Sequence, residues 1–147
     1  MVKNIISVIV GYIVMGGCVF VAFTAAYRVL GAEGSFQPGS FEVSGIWSVI
    51  SVIVGTVASL SGGLACAAIS KNKKAVVWLA ALVLVLGFVS AVMETKKKSG
   101  EVLPPRTAEI SNREAMVNAR TPLWMLILNP LIGVAGVIAA GRIRKLV

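Results

Sequence analysis

An all-α integral membrane protein is predicted: a compact bundle of four transmembrane helices with a short interfacial helix before the fourth. Three observations predict it. Apolar runs occupy about 5–29, 46–69, 75–93 and 122–141, interrupted by a charge only at Arg28. Each is long enough to cross a hydrocarbon core of ~30 Å at ~1.5 Å per residue. Hydrophobic residues make up 57% of the 147-residue chain and charged residues only 14%, which leaves too little polar surface for a soluble domain of this size. The charges also gather in short blocks between the runs, as in a polytopic membrane protein. The length suits one domain over residues 1–147.

The first run begins after Lys3 and resembles a signal peptide, and Met15-Gly16-Gly17-Cys18 resembles a lipoprotein cleavage site. The apolar run continues through Phe23, so an uncleaved span is preferred. A loop rich in Gly, Ser and Pro is expected from about Arg28 to Ser44, with Phe36, Phe41 and Trp47 at headgroup level. Ser44 reads as the N-cap of the second span. Lys71-Asn72-Lys73-Lys74 then makes a tight basic hairpin into the third span.

Residues 95–121 form the longest polar stretch, where Pro104-Pro105 ends helical continuation. The capping box Ser111-Asn112-Arg113-Glu114 predicts a short surface helix over about 112–120, carrying Ala115, Met116 and Ala119. Thr121 reads as the cap of the fourth span, with Pro122 at its first position.

The strongest packing signal lies in the second span. Ser51, Gly55, Ser59, Gly63 and Ala67 place a small residue at every fourth position, and Ala58, Gly62, Cys66 and Ser70 form a parallel ladder. The opposite stripe, Ile46, Ile50, Ile53, Val57, Leu60 and Leu64, is apolar. Lipid gives helices no hydrophobic drive to associate, so close approach through small residues is the expected contact. Gly11, Gly16 and Gly17 in the first span and Gly133, Gly136 and Ala140 in the fourth are the natural partners. The competing reading of the small face is a shallow site for a lipid tail, quinone or pigment. Ser7-Val8-Ile9-Val10-Gly11 recurs as Ser51-Val52-Ile53-Val54-Gly55, which chance explains in a chain this rich in Val, Ile, Gly and Ala.

Within the fourth span, Asn129-Pro130 is the distinctive polar feature. Pro130 has no N–H to offer the Leu126 carbonyl, so a kink is expected, and Asn129 can satisfy freed backbone groups, line a cavity or meet a neighbouring helix.

The net charge of +8 would suggest nucleic acid in a soluble protein. Here the cations flank apolar runs and read as anchors at anionic headgroups, and no nucleic-acid module is present. The chain has no histidine and only two cysteines, which removes the usual proton shuttle and a structural zinc site. A Cys18–Cys66 disulfide is not expected, since in a hairpin the two lie at different depths, ~20 and ~5 Å from the same end. No ionisable residue falls at the centre of a span, against an ion-coupled carrier. No nucleophile motif, phosphate loop or paired catalytic carboxylate appears, so neither catalysis nor a cofactor is expected.

With the N-terminus inside, Lys and Arg divide seven to seven between the two sides, while all six glutamates fall outside. The nearly uncharged first loop and the basic hairpin favour N-in/C-in, and the triplet Lys96-Lys97-Lys98 argues the other way. The expected protein is a non-catalytic accessory, assembly or scaffold subunit, or a homo-oligomer, whose partners are the bilayer and other membrane subunits. The short loops suit a bacterial cytoplasmic (inner) membrane. A small oligomeric channel or facilitator, and a membrane-surface regulator, are the alternatives.

Overall fold

The computed structural model describes residues 1–100 and 111–146. Over these residues the chain is helical, with α1 at Val2–Ser35, α2 at Gly45–Ser70, α3 at Lys73–Gly100, α4 at Asn112–Asn118 and α5 at Leu123–Ile143. Four of the five, all but α4, are long and apolar enough to cross a membrane. The stop expected at Pro104-Pro105 lies outside the described residues, as do the side chains of Ala115 and Met116.

α1 runs further than the sequence suggests. The expected loop from Arg28 begins only after Ser35, because the helix breaks at Gly31 (φ 63°, ψ −172°) and then resumes for one more turn. That backbone conformation is open to glycine alone without strain. The redirected turn buries Tyr27, Ala32, Ser35 and Phe36, a burial that a straight helix ending at Arg28 would forgo.

Phe36 and Phe41 are only 4% and 6% exposed, so they do not lie at the headgroup surface as expected. They belong to a small folded cap. Phe36 bridges to Val43 and Glu42 to Arg120, with the Arg120 N–H donating to the Phe41 carbonyl at 2.9 Å. Tyr27, Phe36, Val43 and Met125 form its apolar centre, with Trp47 and Ala119 packed against them. Two apolar stretches distant in sequence cover each other there, and that removes their need for a membrane interface.

Helix ends follow local chemistry. Ser44 Oγ accepts the Trp47 N–H at 3.1 Å and donates to the Gly34 carbonyl at 2.6 Å, which caps α2 and ties it to the end of α1. Only Lys71 and Asn72 separate α2 from α3; Lys71 takes the left-handed conformation (φ 50°) and Asn72 Oδ1 accepts the Lys74 N–H. Ser111 Oγ accepts the Glu114 N–H at 3.2 Å and opens α4. Thr121 does not cap α5: its N–H donates to Glu94 Oε1 at 2.9 Å, and Pro122 occupies the cap position without a side-chain bond. α5 then continues as one helix through Pro130.

Around the molecule, α1 packs on α2, α2 on α5 and α5 on α3, and α1 also meets α3. The end carrying the chain termini is filled by Cys66, Ala67, Ala75, Val76, Leu79, Ala80, Val83 and Val137. The cap closes the other end.

Candidate functional site: a cavity between the helices

The two small-residue ladders of α2 face different helices. Ala58, Gly62, Cys66 and Ser70 are buried, and on that side a Cβ at Gly62 would lie 2.5 Å from the Gly11 carbonyl oxygen of α1 and overlap Met15. Cys66 Sγ sits 3.8 Å from Ser7 Oγ of α1. The other ladder faces α5: a Cβ at Gly63 would lie 2.7 Å from Ala140 Cβ and 2.9 Å from Val137 Cα, and one at Gly136 would overlap the Ser59 side chain. Ser51 and Ala67 are buried on the same helix, 5% and 2% exposed. A Cβ at Gly133 would lie 2.7 Å from Val83 Cγ1 of α3. On the far side of α2, Ile53 and Val57 are both 56% exposed.

Three glycines read as packing positions are placed differently. No neighbouring helix comes within 4 Å of a Cβ built at Gly16 or Gly17, and both residues are exposed. At Gly55 the nearest atom is Ile132 Cγ2 at 3.8 Å, an ordinary contact. For Gly16 and Gly55 the reason is a gap between helices, whereas Gly17 faces away from it. α1 meets α3 near the terminus end, where a Cβ at Gly11 would be 2.9 Å from Leu79 Cδ2, and the space opens toward the cap.

The gap is a cavity of about 390 Å³. Tyr12, Met15, Gly16, Val19 and Phe23 of α1 form one wall, and Val83, Leu86, Gly87, Ser90 and Ala91 of α3 the facing one. Ser51, Gly55 and Ala58 of α2, with Leu126, Asn129, Pro130 and Gly133 of α5, close the back. Phe23 stacks on Trp47 with centroids 5.3 Å apart, which links the cavity roof to the cap. Its size lies in the ~300–1,000 Å³ range of small-molecule sites.

Asn129 and Pro130 both belong to this cavity. The Pro130 ring fills the place of a side chain at Gly87, where a Cβ would lie 2.7 Å from Pro130 Cγ. Asn129 is exposed along the cavity, and its carboxamide has no hydrogen-bond partner among the described residues. Sequence reasoning named Asn129, Gly16 and the small patch Gly87, Ser90 and Ala91 of the third span, but not Tyr12, Phe23 and Leu86, which look like ordinary span residues and carry no local signal.

Cys18 and Cys66 are both free thiols, with Cys66 buried against Ser7. Among the described residues no group of three or more His, Cys, Asp or Glu side chains is placed to hold a metal.

The fold and cavity thus define an all-helical chain with four helices apolar enough to cross a membrane, a composition compatible with a multi-pass membrane protein. No protein-family model matches the chain, nor does any curated protein or any solved structure.

Proposed function

We propose that this chain is a non-catalytic four-helix membrane bundle that serves as an accessory or assembly subunit of a membrane complex, or assembles with itself, in a bacterial cytoplasmic membrane with both termini inside. The observation that carries the reading is how the apolar surface is divided. Toward the terminus end the small-residue faces of α2, at Gly62 and Gly63, are consumed by α1 and α5 of the same chain, while Ile13, Phe20, Val21, Val85 and Leu131 remain outward and apolar. Such a perimeter suits lipid and neighbouring subunits. Among the described residues no Asp, Glu, Lys or Arg side chain lines the cavity, which supports a role without proton or ion coupling.

A channel within one chain is disfavoured by the packing at the terminus end, where Val76, Leu79, Cys66 and Val137 are fully buried across the path. A channel would have to run between subunits.

Native membranes solubilised in mild detergent test the proposal. The tagged chain is expected in a complex of fixed stoichiometry larger than the monomer, and the purified protein should give no solute flux in liposomes. A monomer that conducts, with flux altered by Asn129→Ala, would replace this reading with the channel.

A further inference from the structure

We propose that the cavity is a binding site for the neutral ring of a prenyl quinone, one carbonyl of which accepts a hydrogen bond from the Asn129 carboxamide. The inference rests on the membrane-spanning reading and adds a small-molecule ligand that the accessory role does not require.

Asn129 faces inward. Its helical neighbours at i−3, i+4 and i+7 are Leu126, Gly133 and Gly136, all buried, so its own exposure opens on the cavity and not on the lipid perimeter. It stands six residues into α5, inside the apolar span, with two N–H donors and a carbonyl to satisfy. Ser90 is a second free polar group on the wall. Ser51, which also lines the cavity, donates to the Trp47 carbonyl of its own helix at 2.8 Å, whereas Ser90 has no hydrogen-bond partner among the described residues. Ser90 lies three residues from Gly87 and Asn129 one residue from Pro130, both toward the cap. Since Pro130 packs on Gly87, the two polar residues stand within ~3 Å of each other in height. Donors thus converge from α3 and α5 on one level.

At that level the walls are flat. Gly16 and Gly55 stand five and seven residues capward of Gly11 and Gly62, the pair at which α1 and α2 touch, or ~7.5 and ~10.5 Å along the helices. Gly87 stands eight residues capward of Leu79, which meets Gly11, or ~12 Å. All four spans are therefore pared back to glycine or proline within about one turn of the same height. Gly16 and Gly55 have no atom closer than 3.8 Å to a Cβ built on them, so the slot between them is open.

Chemistry narrows the occupant. Among the described residues no Lys, Arg, Asp or Glu lines the wall, so a phosphate or other ionised group would lack a countercharge. Water would serve Asn129 and Ser90 but not Met15, Val19 and Leu86, and space bounded by such side chains stays dry. An alkyl chain would fill the apolar part and leave the amide without an acceptor. Two donors on two helices beside a flat slot call for a planar neutral ring with more than one acceptor, which is the chemistry of a quinone. Tyr12 on α1 and Leu86 on α3, lining residues 40% and 37% exposed, border the gap, so a prenyl tail can leave between these helices.

Two glycines separate this site from general partitioning into lipid. Gly16 and Gly17 are adjacent, exposed and sterically open, but only Gly16 lines the cavity. The full chain would be reconstituted in nanodiscs of phosphatidylethanolamine and phosphatidylglycerol. A short-tailed prenyl quinone would then be titrated in and its uptake compared with empty discs. Saturation at one quinone per chain is expected for the parent and for Gly17→Leu. Affinity should fall about ten-fold in Gly16→Leu and in Asn129→Leu, the size expected when one buried hydrogen bond or its space is lost. Asn129→Gln, which keeps the amide, should bind more tightly than Asn129→Leu. Unchanged helicity and melting temperature in Gly16→Leu establish that the fold is intact; if that variant unfolds, the two Asn129 variants carry the test. Uptake without saturation, equal affinity in Gly16→Leu and Gly17→Leu, parental affinity in Asn129→Leu, or one phospholipid per chain that quinone does not displace would each overturn the proposal. A chain that never enters the discs would sink the membrane reading as well, whereas an inserted chain without saturable binding sinks only this one.

Discussion

Gly63, Gly31 and Val57 separate three ways in which a single residue matters here. Gly63 is limited by space, because Ala140 and Val137 occupy the position of its side chain. Gly63→Leu should therefore lose about 1–3 kcal/mol or more through overpacking. Gly31 has open space around it but a positive φ, so Gly31→Ala should lose about 1–3 kcal/mol through backbone strain alone. Val57 is 56% exposed, and Val57→Leu should stay within about 0.5 kcal/mol of the parent. Chemical unfolding of the three variants in mild detergent gives the comparison, and equal losses in all three would show the helix faces to be misassigned. The sequence shows glycine at 31 and 63 alike; the physical role differs because one answers to torsion and the other to a neighbour.

Between elements, the α3–α5 contact depends on a fitted pair. Pro130 projects its ring into the space left by Gly87, so the residue that weakens the backbone bonding of α5 also fixes where α3 lies. Gly87→Ala should be destabilising by about 1–3 kcal/mol in the parent and much less in a Pro130→Ala background. A double-mutant cycle measures this, and additive losses would show that the two residues do not share one contact. Local signals were legible at this scale. Ser44 and Ser111 cap the helices that their spacing predicts, and the hairpin at Lys71-Asn72 is as tight as its four-residue block suggests. Thr121 was misread because α5 starts one residue later, with the Pro122 carbonyl accepting from Met125 and Leu126, while the Thr121 N–H is held by Glu94, 27 residues away.

At the scale of the whole molecule, a tight end, a cavity and a folded cap succeed one another along the helices. The proposed orientation puts the cap and Ser111 outside. Ser111 is exposed, Cys66 is buried and Cys18 is half-buried, so Ser111→Cys should react with an impermeant thiol reagent on intact cells, against a parent background close to zero. Reaction only after permeabilisation would reverse the topology. The cap is the part of the architecture that was least legible: Phe36 and Phe41 have the composition of interfacial anchors and acquire a core only because Tyr27 and Met125 arrive from other helices.

By itself the sequence determined how many helices form, nearly where most of them begin and end, and that α2 offers small faces. These follow from hydrogen bonds and periodicities within a segment, which need no partner to be read. Only the tertiary structure decided that one ladder serves α1 and the other α5, that Gly16 borders a cavity while Gly17 does not, and that Asn129 opens into it. Those outcomes depend on the distance between helices. That distance is set by side-chain volumes brought together from remote parts of the chain, such as Gly11 against Leu79 and Gly87 against Pro130.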